Sequence, residues 1–417
     1  MAQLSDDCFA FGGTLLAVDA ALALIAERIT PVVEVEAVPV AEAAGRIVGA
    51  DRIAAFDLPP HANSAVDGFA VAQADLLPDR ETVLPVGGRA AAGHPLGRAL
   101  AGGEAIRIFT GAPMPEGADT VMMQEDCVVE DGRVRLKPGI KKGANRRHAG
   151  EDVAKGGLAV PAGRRLMPAD IGLLAALGHT RLPVFRPLRV ALLSTGDEVR
   201  EPGTALEPGA IYDANRIMLR ALLRALGCAV SDLGICPDRA AGLADTLAAA
   251  SCAHDLIVTS GGVSTGEEDH VRAAIEKLGR LDFWRLAIKP GRPVALGHVN
   301  RVPLIGLPGN PVAAALTFAI LGRPLILRLA GATPAPALTF PVQAGFSHRK
   351  KPGRREYLRA RLARDGGAAI AHKYAKDGAG ILSSIVRSDG FAVIDESLAQ
   401  VMPGDPIEFL PFSEVFG

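Results

Sequence analysis

Short apolar runs rich in β-branched residues alternate with amphipathic segments in the second half of the chain. Residues 255–270, DLIVTSGGVSTGEEDH, begin with such a run, which predicts a buried strand of a parallel sheet. Ser260, Gly261 and Gly262 follow and predict a sharp turn that leaves backbone N–H groups exposed. Beyond residue 270, apolar residues recur at helical spacing. The stretch is therefore expected to form a strand, a turn and a helix in that order.

The start of this predicted helix has the features of an anion site. Glycine-rich turns at helix N-termini bind phosphates and other oxyanions through backbone N–H groups. Three acidic residues, Glu267, Glu268 and Asp269, crowd the same place and would repel a bare phosphate. A Mg²⁺ ion between the carboxylates and the phosphate makes the two features compatible. The alternative is that the acids only complement the positive end of the helix dipole.

The same alternation of strands and helices extends over residues 187–331 and predicts an α/β domain built on a parallel sheet. Such sheets bind ligands beyond the carboxyl ends of their strands. Asp197, Glu198, Asp238 and Asp269 each come just after a predicted strand. Dipole complementation alone does not explain four acids placed in this way, so a ligand site at this edge is the stronger hypothesis.

Other loops carry more polar residues than a turn needs. Residues 58–71, LPPHANSAVDGFAV, are dense in Asn, Ser, Asp and Gly. Residues 143–153, GANRRHAGEDV, place basic residues just before acidic ones. Such a loop is either a solvated surface or, beside a phosphate, a clamp. Lys289 and Arg292, in IKPGRP, also follow a predicted strand.

The remainder of the chain divides into segments with different periodicity. Helical periodicity predicts helices over residues 14–29, 40–47 and 168–177. Short apolar runs punctuated by Gly and Pro predict a β-rich unit over 69–139. A Pro/Ala linker at 333–337 precedes alternating short strands, which predict a small all-β domain with a barrel-like fold.

Composition narrows the class of protein. The 417 residues suffice for about three domains. Lys and Arg total 45 against 46 Asp and Glu, so bulk charge does not favour a nucleic-acid partner. The five cysteines form no CxxC pair, which favours reduced thiols in a cytoplasmic protein. The N-terminus lacks signal-peptide features, and the apolar stretch near 313–322 is too short for a membrane span. A soluble cytoplasmic protein without a membrane partner is expected.

Seven motifs in order carry a resemblance to a known family. They are NSAVDGFA, RIFTGAPMPEGADTVMMQED, RRHAGEDV, STGDEV, SGGVSTGEEDH, LAIKPGRP and GLPGNP. The chain resembles the MoeA family of molybdopterin molybdenumtransferases, which is related to the C-terminal domain of gephyrin. The resemblance implies an N-terminal discontinuous domain (1–55 and 144–186), an inserted β-rich domain (56–143), an α/β molybdopterin-binding domain (187–332) and a C-terminal β domain (333–417). It also implies an elongated homodimer.

The resemblance implies an activity. The family takes adenylylated molybdopterin and molybdate, cleaves the adenylyl phosphoanhydride with Mg²⁺, releases AMP and leaves molybdenum on the dithiolene. Carboxylates that hold the metal and amides that position the phosphates suit this chemistry. It further implies a composite cleft between two subunits and is compatible with an interaction with the molybdopterin adenylyltransferase.

The resemblance also implies roles for individual residues. Glu198, Asp238 and Asp269 match catalytic positions at the metal. Thr110 and Asp152 match catalytic residues that the partner subunit brings to the cleft. The expected substrate-binding residues are Ser260, Gly261, Gly262, Ser264, Gly266, Asp67, Arg146, Lys289, Arg292, Pro308, Asn310 and Ser383. Lys289 and Arg292 suit molybdate, a tetrahedral dianion, and Ser383 and Arg355 match the family's C-terminal domain contribution.

One position departs from the family pattern. The family loop usually reads DNSAMDGYA, whereas this chain has HANSAVDGFA, so Ala62 replaces a functional aspartate. Either His61 compensates or the chain is a divergent paralogue. Two function classes follow: an enzyme that inserts molybdenum, or a carrier that binds molybdopterin or finished cofactor with weak turnover. A molybdopterin adenylyltransferase is a weaker alternative, because that enzyme resembles only the central domain.

Overall fold

The first segment of the chain forms one helix and three short strands. The computed structural model describes residues 15–236, 240–261, 270–291, 293–333 and 335–416. The elements of the first segment are α1 (Val18–Arg28), β1 (Val35–Pro39), β2 (Ile47–Val48) and β3 (Arg52–Ile53). The predicted first helix is confirmed over Val18–Arg28, but residues 15–17 are not helical, because Leu16 pairs with Leu286; Thr14 lies outside the described residues. The predicted helix over 40–47 is wrong: a single 3₁₀ turn, Val40–Glu42, forms, and Gly45 then takes a left-handed φ of 77° that precludes a helix.

The next segment is β-rich, as predicted. Its strands are β4 (Asn63–Ser64), β5 (Gly68–Val71), β6 (Thr82–Ala90), β7 (Ala105–Ile108), β8 (Thr120–Met123), β9 (Cys127–Glu130) and β10 (Arg133–Leu136). Six of them are hydrogen-bonded in the order β8-β5-β7-β6-β10-β9. Buried side chains such as Ile106 and Val134 fill both faces of this sheet, so the segment has its own apolar core.

The chain then returns to pair with the first segment. Its elements are β11 (Arg146–Arg147), β12 (Leu158–Val160), α2 (Pro168–Ala176) and β13 (Arg181–Phe185). β13 lies between β1 and β2, β12 pairs with β3, and β11 pairs with β4. Two stretches that are far apart in sequence therefore form common sheets on either side of the β-rich segment.

The central unit alternates strands and helices. Its elements are β14 (Arg189–Thr195), β15 (Val199–Arg200), β16 (Ile211–Tyr212), α3 (Ala214–Ala225), β17 (Ala229–Cys236), α4 (Ala240–Ala253), β18 (Leu256–Ser260), α5 (His270–Leu278), β19 (Gly279–Arg285), β20 (Ile288–Lys289), β21 (Pro293–Val299), β22 (Val302–Leu307), α6 (Pro311–Thr317) and α7 (Arg323–Leu329). Its sheet has the order β17-β14-β18-β22-β21-β19.

The predicted parallel sheet is confirmed for β17, β14, β18 and β22. β21 and β19 add an antiparallel extension that was not predicted. Val299 pairs with Val302, so β21 and β22 are joined by a two-residue hairpin. Asn300 and Arg301 both have positive φ, as this tight turn requires. The sequence signal was weak because no glycine marks the turn.

The helical stretch that follows β22 is more apolar and longer than the sequence estimate. A π-helical segment, Phe318–Gly322, joins α6 to α7 and makes one helical stretch of 19 residues from Pro311 to Leu329. An 18-residue window of this stretch has a mean hydropathy of 1.7, so by length and composition it could cross a membrane, but 83% of that window is buried inside the protein. It packs between the central sheet and α1 in the largest apolar core, which explains its composition without a membrane.

The C-terminal segment forms the expected barrel. Its elements are β23 (Phe340–Ala344), β24 (His348–Arg349), β25 (Arg355–Asp365), β26 (Ala368–Lys373), α8 (Ser383–Val386), β27 (Gly390–Ile394), β28 (Gln400–Val401), β29 (Pro406–Pro411) and α9 (Phe412–Phe416). The strands β25, β26, β23, β29 and β27 close on themselves through a β25–β27 pairing. β20 of the central unit pairs with β25, which joins the two units.

Candidate functional site

A cleft of about 110 Å³ lies at the carboxyl ends of β14 and β18. This is the edge at which parallel sheets bind ligands. The cleft is lined by Ser194, Thr195, Glu198, Val199, Ile211, Tyr212, Asp213, Ala214, Asn215, Ser260, Gly261, Gly309 and Pro311. The predicted residues Glu198, Ser260 and Gly261 are thus brought together. We call this region the central cleft.

Asn215, which was not predicted as a site residue, bridges two walls of the central cleft. Its Nδ2 donates to Ser260 Oγ at 2.9 Å and to the Gly309 carbonyl at 2.7 Å. The residue sits in the first turn of α3, which begins after the N-cap Asp213. Asp213 accepts a hydrogen bond from the Arg216 amide, as an N-cap does. The sequence shows that Asn215 lies near the start of a helix. It does not show that its hydrogen-bond partners come from distant loops.

Two buried hydroxyls line the cleft without hydrogen-bond partners. Ser194 and Thr195 are each 2% exposed, and their hydroxyl oxygens have no partner. Gly261 faces Thr195 with φ 85°, and a Cβ there would lie 2.7 Å from the Thr195 carbonyl oxygen. Buried polar groups normally have partners, so unpaired hydroxyls beside a glycine turn fit a polar ligand such as a phosphate or pterin.

Two acids, Glu198 and Asp213, line the described part of the cleft, and Asp213 is paired with Arg216. The Glu198 side chain is exposed, and the loop that carries it is held by a hydrogen bond from the Ile211 amide to the Glu198 carbonyl, 2.8 Å. Carboxylate and hydroxyl oxygens are ligands that Mg²⁺ accepts, so the donor chemistry of this edge fits that ion. Among the described residues, no three His, Cys, Asp or Glu side chains converge as a complete metal site.

Six predicted site residues lie outside the described residues. They are Asp238, Gly262, Ser264, Gly266, Asp269 and Arg292. Their flanking elements are described: β17 ends at Cys236, β18 ends at Ser260 and α5 begins at His270. The chain on both sides of Asp238 and Asp269 therefore belongs to the parallel part of the sheet or to its connecting helices.

The loop after β22 connects the cleft to the barrel. Pro308 is buried and Asn310 is exposed at the start of α6. The Val312 amide donates to the Ala379 carbonyl at 2.9 Å, so the loop before α8 lies over this helix start. Ser383 begins α8 and is exposed, with its side chain hydrogen-bonded to Tyr374.

A buried arginine holds this covering loop in place. Arg359 is 5% exposed, and its guanidinium donates to Ser384 Oγ at 3.0 Å and to the carbonyls of Lys376 and Gly378 at 3.2 Å each. Burial lowers the pKa of Arg359. The side chain was not predicted from sequence, because its strand pattern resembles that of any barrel strand.

Lys289 lies at the junction of the central unit and the barrel. It pairs in register with Glu356, and its Nζ donates to Glu356 Oε2 at 3.3 Å. The turn that follows contains a cis Lys289–Pro290 peptide and Gly291 at φ 84°. Arg355, the neighbour of Glu356, binds Asp19 and Glu396, so its described contacts are those of a structural ion-pair network.

The loops around Asp67, Thr110 and Arg146 form a second group, which we call the inserted-domain cluster. Asp67 Oδ1 accepts from the Thr110 amide and hydroxyl, both at 2.8 Å. These hydrogen bonds, the backbone one first, lower the pKa of Asp67. Arg146 pairs with Ser64, and the buried Arg146 Nε has no partner. Three motifs that are distant in sequence thus meet on one surface.

Ala62, His61 and Asp152 lie around this cluster. The Ala62 carbonyl accepts from the Met114 amide at 2.9 Å. His61 is exposed, and Asp152 is exposed with its amide bonded to the Leu58 carbonyl at 2.9 Å. The neighbouring Asn63 is buried, and its Oδ1 has no partner. The backbone of the loop is therefore held by hydrogen bonds, while the Asn63 side-chain oxygen has no partner and could bind a ligand.

The two groups are separate within one chain. None of the described side chains of the inserted-domain cluster lines the central cleft. Among the described residues, the side chains that line the central cleft and those of the inserted-domain cluster are therefore two different sets.

Comparison with known proteins matches three regions of the chain to family models. They are "MoeA N-terminal region (domain I and II)" at residues 16–178, "Probable molybdopterin binding domain" at 191–328 and "MoeA C-terminal region (domain IV)" at 341–412. The β-rich segment and the elements from α1 to α2 fall in the first region, β13 lies just after it, and the central cleft falls in the second.

Similar proteins cover almost the whole chain. Molybdopterin molybdenumtransferase of Haemophilus influenzae is 37% identical over 406 residues, which span 97% of this chain and 100% of that protein. Molybdopterin molybdenumtransferase 2 of Mycobacterium tuberculosis is 35% identical over 381 residues, or 89% and 93% of the two chains. The structure of the molybdopterin biosynthesis moeA protein from Pyrococcus horikoshii OT3 superposes with a TM-score of 0.81 at 28% identity, covering 95% of this chain and 100% of that one.

Proposed function

Because this chain belongs to the MoeA family, we propose that it is a molybdopterin molybdenumtransferase that inserts molybdenum into molybdopterin during molybdenum cofactor biosynthesis. The observation that carries the proposal is the 37% identity to a molybdopterin molybdenumtransferase over that protein's full length. The central cleft supports it, since unpaired buried hydroxyls and a glycine turn suit a phosphate-bearing pterin.

The proposed substrates are adenylylated molybdopterin and molybdate, with AMP as a product. Glu198, together with Asp238 and Asp269, would hold Mg²⁺, which when bound neutralises charge on the phosphoanhydride. Ser194 and Thr195 offer hydroxyl donors, and the turn at Gly261 lets the backbone approach the phosphates closely. Lys289 and Arg292 supply the positive charge that attracts molybdate.

The proposed active unit is a homodimer with composite clefts. The separation of the inserted-domain cluster from the central cleft supports this arrangement. In it, Thr110 and Asp152 of one subunit complete the cleft of the other. We further propose that the protein works in the cytoplasm and receives its substrate from the molybdopterin adenylyltransferase.

A second candidate function is a carrier that binds molybdopterin or finished cofactor with weak turnover. Ala62 favours it, because the family's functional aspartate is absent from the loop. The loop backbone is nevertheless anchored at Ala62 and Ser64 by hydrogen bonds with Met114 and Ala112. The enzyme remains the preferred function because Glu198, Asp238 and Asp269 are all present.

Release of AMP tests the proposed function directly. The purified protein is incubated with adenylylated molybdopterin, Mg²⁺ and molybdate, and AMP and molybdenum-loaded product are measured. Glu198→Gln and Asp269→Asn, which keep shape and remove charge, should each slow AMP release at least about tenfold, or about 1.4 kcal/mol in the barrier. Glu207→Gln is the control, since Glu207 is an exposed partner of Arg200 outside the cleft. Tight substrate binding without AMP release in the parent protein would favour the carrier.

A further inference from the structure

Glu356 is a carboxylate buried at the mouth of the barrel. It is 1% exposed and lies in β25. Its strand neighbours of the same parity, Leu358 and Ala360, belong to the apolar core of the barrel. A carboxylate in such surroundings is costly unless charged or hydrogen-bonding partners compensate it. The partners of Glu356 therefore indicate why an acid occupies this position.

The partners of Glu356 are Lys289 and His348. Glu356 Oε2 lies 3.3 Å from Lys289 Nζ and 2.9 Å from His348 Nε2. Lys289 and Glu356 are also paired in register between β20 and β25. The Glu356 side chain is 2% exposed, whereas that of Lys289 is 50% exposed. The ammonium is thus held from the inside by a fixed carboxylate while its other side faces solvent.

The turn after Lys289 lies against the helix that leads out of the central cleft. A Cβ at Gly291 would lie 2.9 Å from Thr317 Oγ1 and 3.1 Å from the Ala313 Cβ, both in α6. α6 begins at Pro311, which lines the cleft. Thr317 is six residues further on, a rise of about 9 Å along a helix. Lys289 is therefore fixed by its barrel partner Glu356, and the turn that follows it packs on α6, whose first residue lines the cleft.

We propose that Glu356 is a positioning residue that acts through Lys289 and sets the affinity of the oxyanion site. The inference rests on the proposed function, in which Lys289 attracts molybdate. An ammonium attracts a dianion, and a carboxylate within 3.3 Å of that ammonium offsets part of the attraction while fixing its position. The charge of Glu356 therefore keeps molybdate binding weaker than Lys289 alone would make it.

Glu356→Gln tests the proposal because it removes the charge and keeps the size and an acceptor oxygen. The KM for molybdate should fall by at least about threefold, since Lys289 no longer shares its positive charge with a paired carboxylate. The KM for adenylylated molybdopterin should stay unchanged. A damaged fold cannot produce tighter molybdate binding, so a merely structural role for Glu356 would not give this result.

Two controls test whether the change in the KM for molybdate comes from the ion pair of Lys289 with Glu356. In a Lys289→Met background, the effect of Glu356→Gln on molybdate should disappear, as a double-mutant cycle requires for a residue acting through its partner. Glu396→Gln removes another barrel carboxylate, which binds Arg355 instead of Lys289. It should leave the KM for molybdate unchanged.

Unchanged or weaker molybdate binding in Glu356→Gln overturns the proposal. It is also overturned if Glu356→Gln changes molybdate binding by the same factor in the parent and in the Lys289→Met background. The dissociation constant of molybdate, measured by calorimetry on the full-length protein, separates this result from the proposed function. If the parent binds molybdate without releasing AMP, the molybdenumtransferase assignment fails and the comparison of dissociation constants still decides the role of Glu356. If the parent does not bind molybdate, the oxyanion site and this proposal both fail.

Discussion

At the scale of single residues, both candidate site regions contain buried polar atoms that have no hydrogen-bond partner. The hydroxyls of Ser194 and Thr195 and the amide oxygen of Asn63 are buried and unpaired. Each such atom costs stability unless a ligand or water satisfies it. The first two line the central cleft, and Asn63 lies beside Ala62 in the inserted-domain cluster. Unsatisfied groups at these two places, near motifs singled out from sequence, support substrate binding at both.

Ala62→Asp tests the residue at which this chain departs from its family. The hydrogen bonds at Ala62 and Ser64 involve backbone atoms, so a new side chain should leave the loop conformation intact. We expect faster molybdenum insertion or a lower Mg²⁺ requirement, because a charge-assisted contact is worth about 1.5–3 kcal/mol. The measurement is AMP release as a function of Mg²⁺ concentration.

Two comparison variants complete the test at Ala62. Ala65→Asp places the same charge three residues away and should not reproduce the gain. If His61 has taken over the role, Ala62→Asp will do little and His61→Ala will impair turnover. No change in any of these variants would indicate that the loop does not belong to the reacting site, which would favour the carrier.

At the scale of secondary-structure elements, ion pairs join units of the fold that are far apart in the sequence. The pattern of apolar residues along the chain does not predict these contacts. Asp255, just before β18, has a side chain that is 2% exposed and accepts from Arg186 at 2.6 Å and from Arg189 at 2.9 Å. Arg186 also binds Glu34 in the first segment of the chain. Burial raises the pKa of Asp255, but hydrogen bonds from both arginines outweigh it and lower the pKa to about 2. The first segment and the central sheet are therefore tied at one carboxylate.

Asp255→Asn should destabilise the protein in a pH-dependent manner. The folded-state pKa of Asp255 is lowered to about 2, against about 3.9 in an unfolded chain. Its contribution, about 2–3 kcal/mol, is thus complete above pH about 4 and is lost as the pH falls toward 2. Urea unfolding of the parent and the variant at several pH values measures it.

The difference in unfolding free energy should be large at neutral pH and should shrink on acidification through this window. Glu207→Gln is the matched control: its ion pair with Arg200 is 3.6 Å long, and the Glu207 side chain is 74% exposed. Exposed pairs contribute about 0–1 kcal/mol. A pH-independent loss in Asp255→Asn would mean that packing, and not the charge, carries the effect.

At the scale of the whole molecule, two groups of site residues occupy different places in one chain. The central cleft belongs to the α/β unit, and the inserted-domain cluster is formed by β4, β11, the loop between β4 and β5 and the loop after β7. A second subunit can join them if the dimer places one group opposite the other, since symmetry then creates two equivalent sites.

Mixing two inactive variants tests this arrangement. Asp152→Asn disables the inserted-domain cluster and Asp269→Asn disables the central cleft. If subunits exchange freely, half of the dimers are mixed and each has one intact cleft of two, so AMP release should return to about a quarter of the parent rate. Each variant alone should stay inactive after the same mixing procedure. Monomeric behaviour in solution, or no recovery despite proven exchange, would contradict a composite cleft.

The sequence by itself determined the elements and the kinds of chemistry present. Hydrophobic period, glycine turns and capping residues act within a few positions, so the strands and helices of the central unit and the terminal barrel were predictable. The place of Glu198, Ser260 and Gly261 at one sheet edge was also predictable, because parallel strands end on the same side.

Only the tertiary structure decided which distant residues meet. The pairing of β13 with β1 and β2, the ion pair of Lys289 with Glu356 and the hydrogen bonds of Arg359 all join segments far apart in sequence. Such contacts follow from the packing of whole units, and nothing in the local pattern encodes them. The antiparallel extension of the sheet was hidden for a related reason: Asn300 and Arg301 adopt positive φ where the sequence offers no glycine. Local physical chemistry therefore specified the parts of this protein, and long-range packing decided which of them share a site.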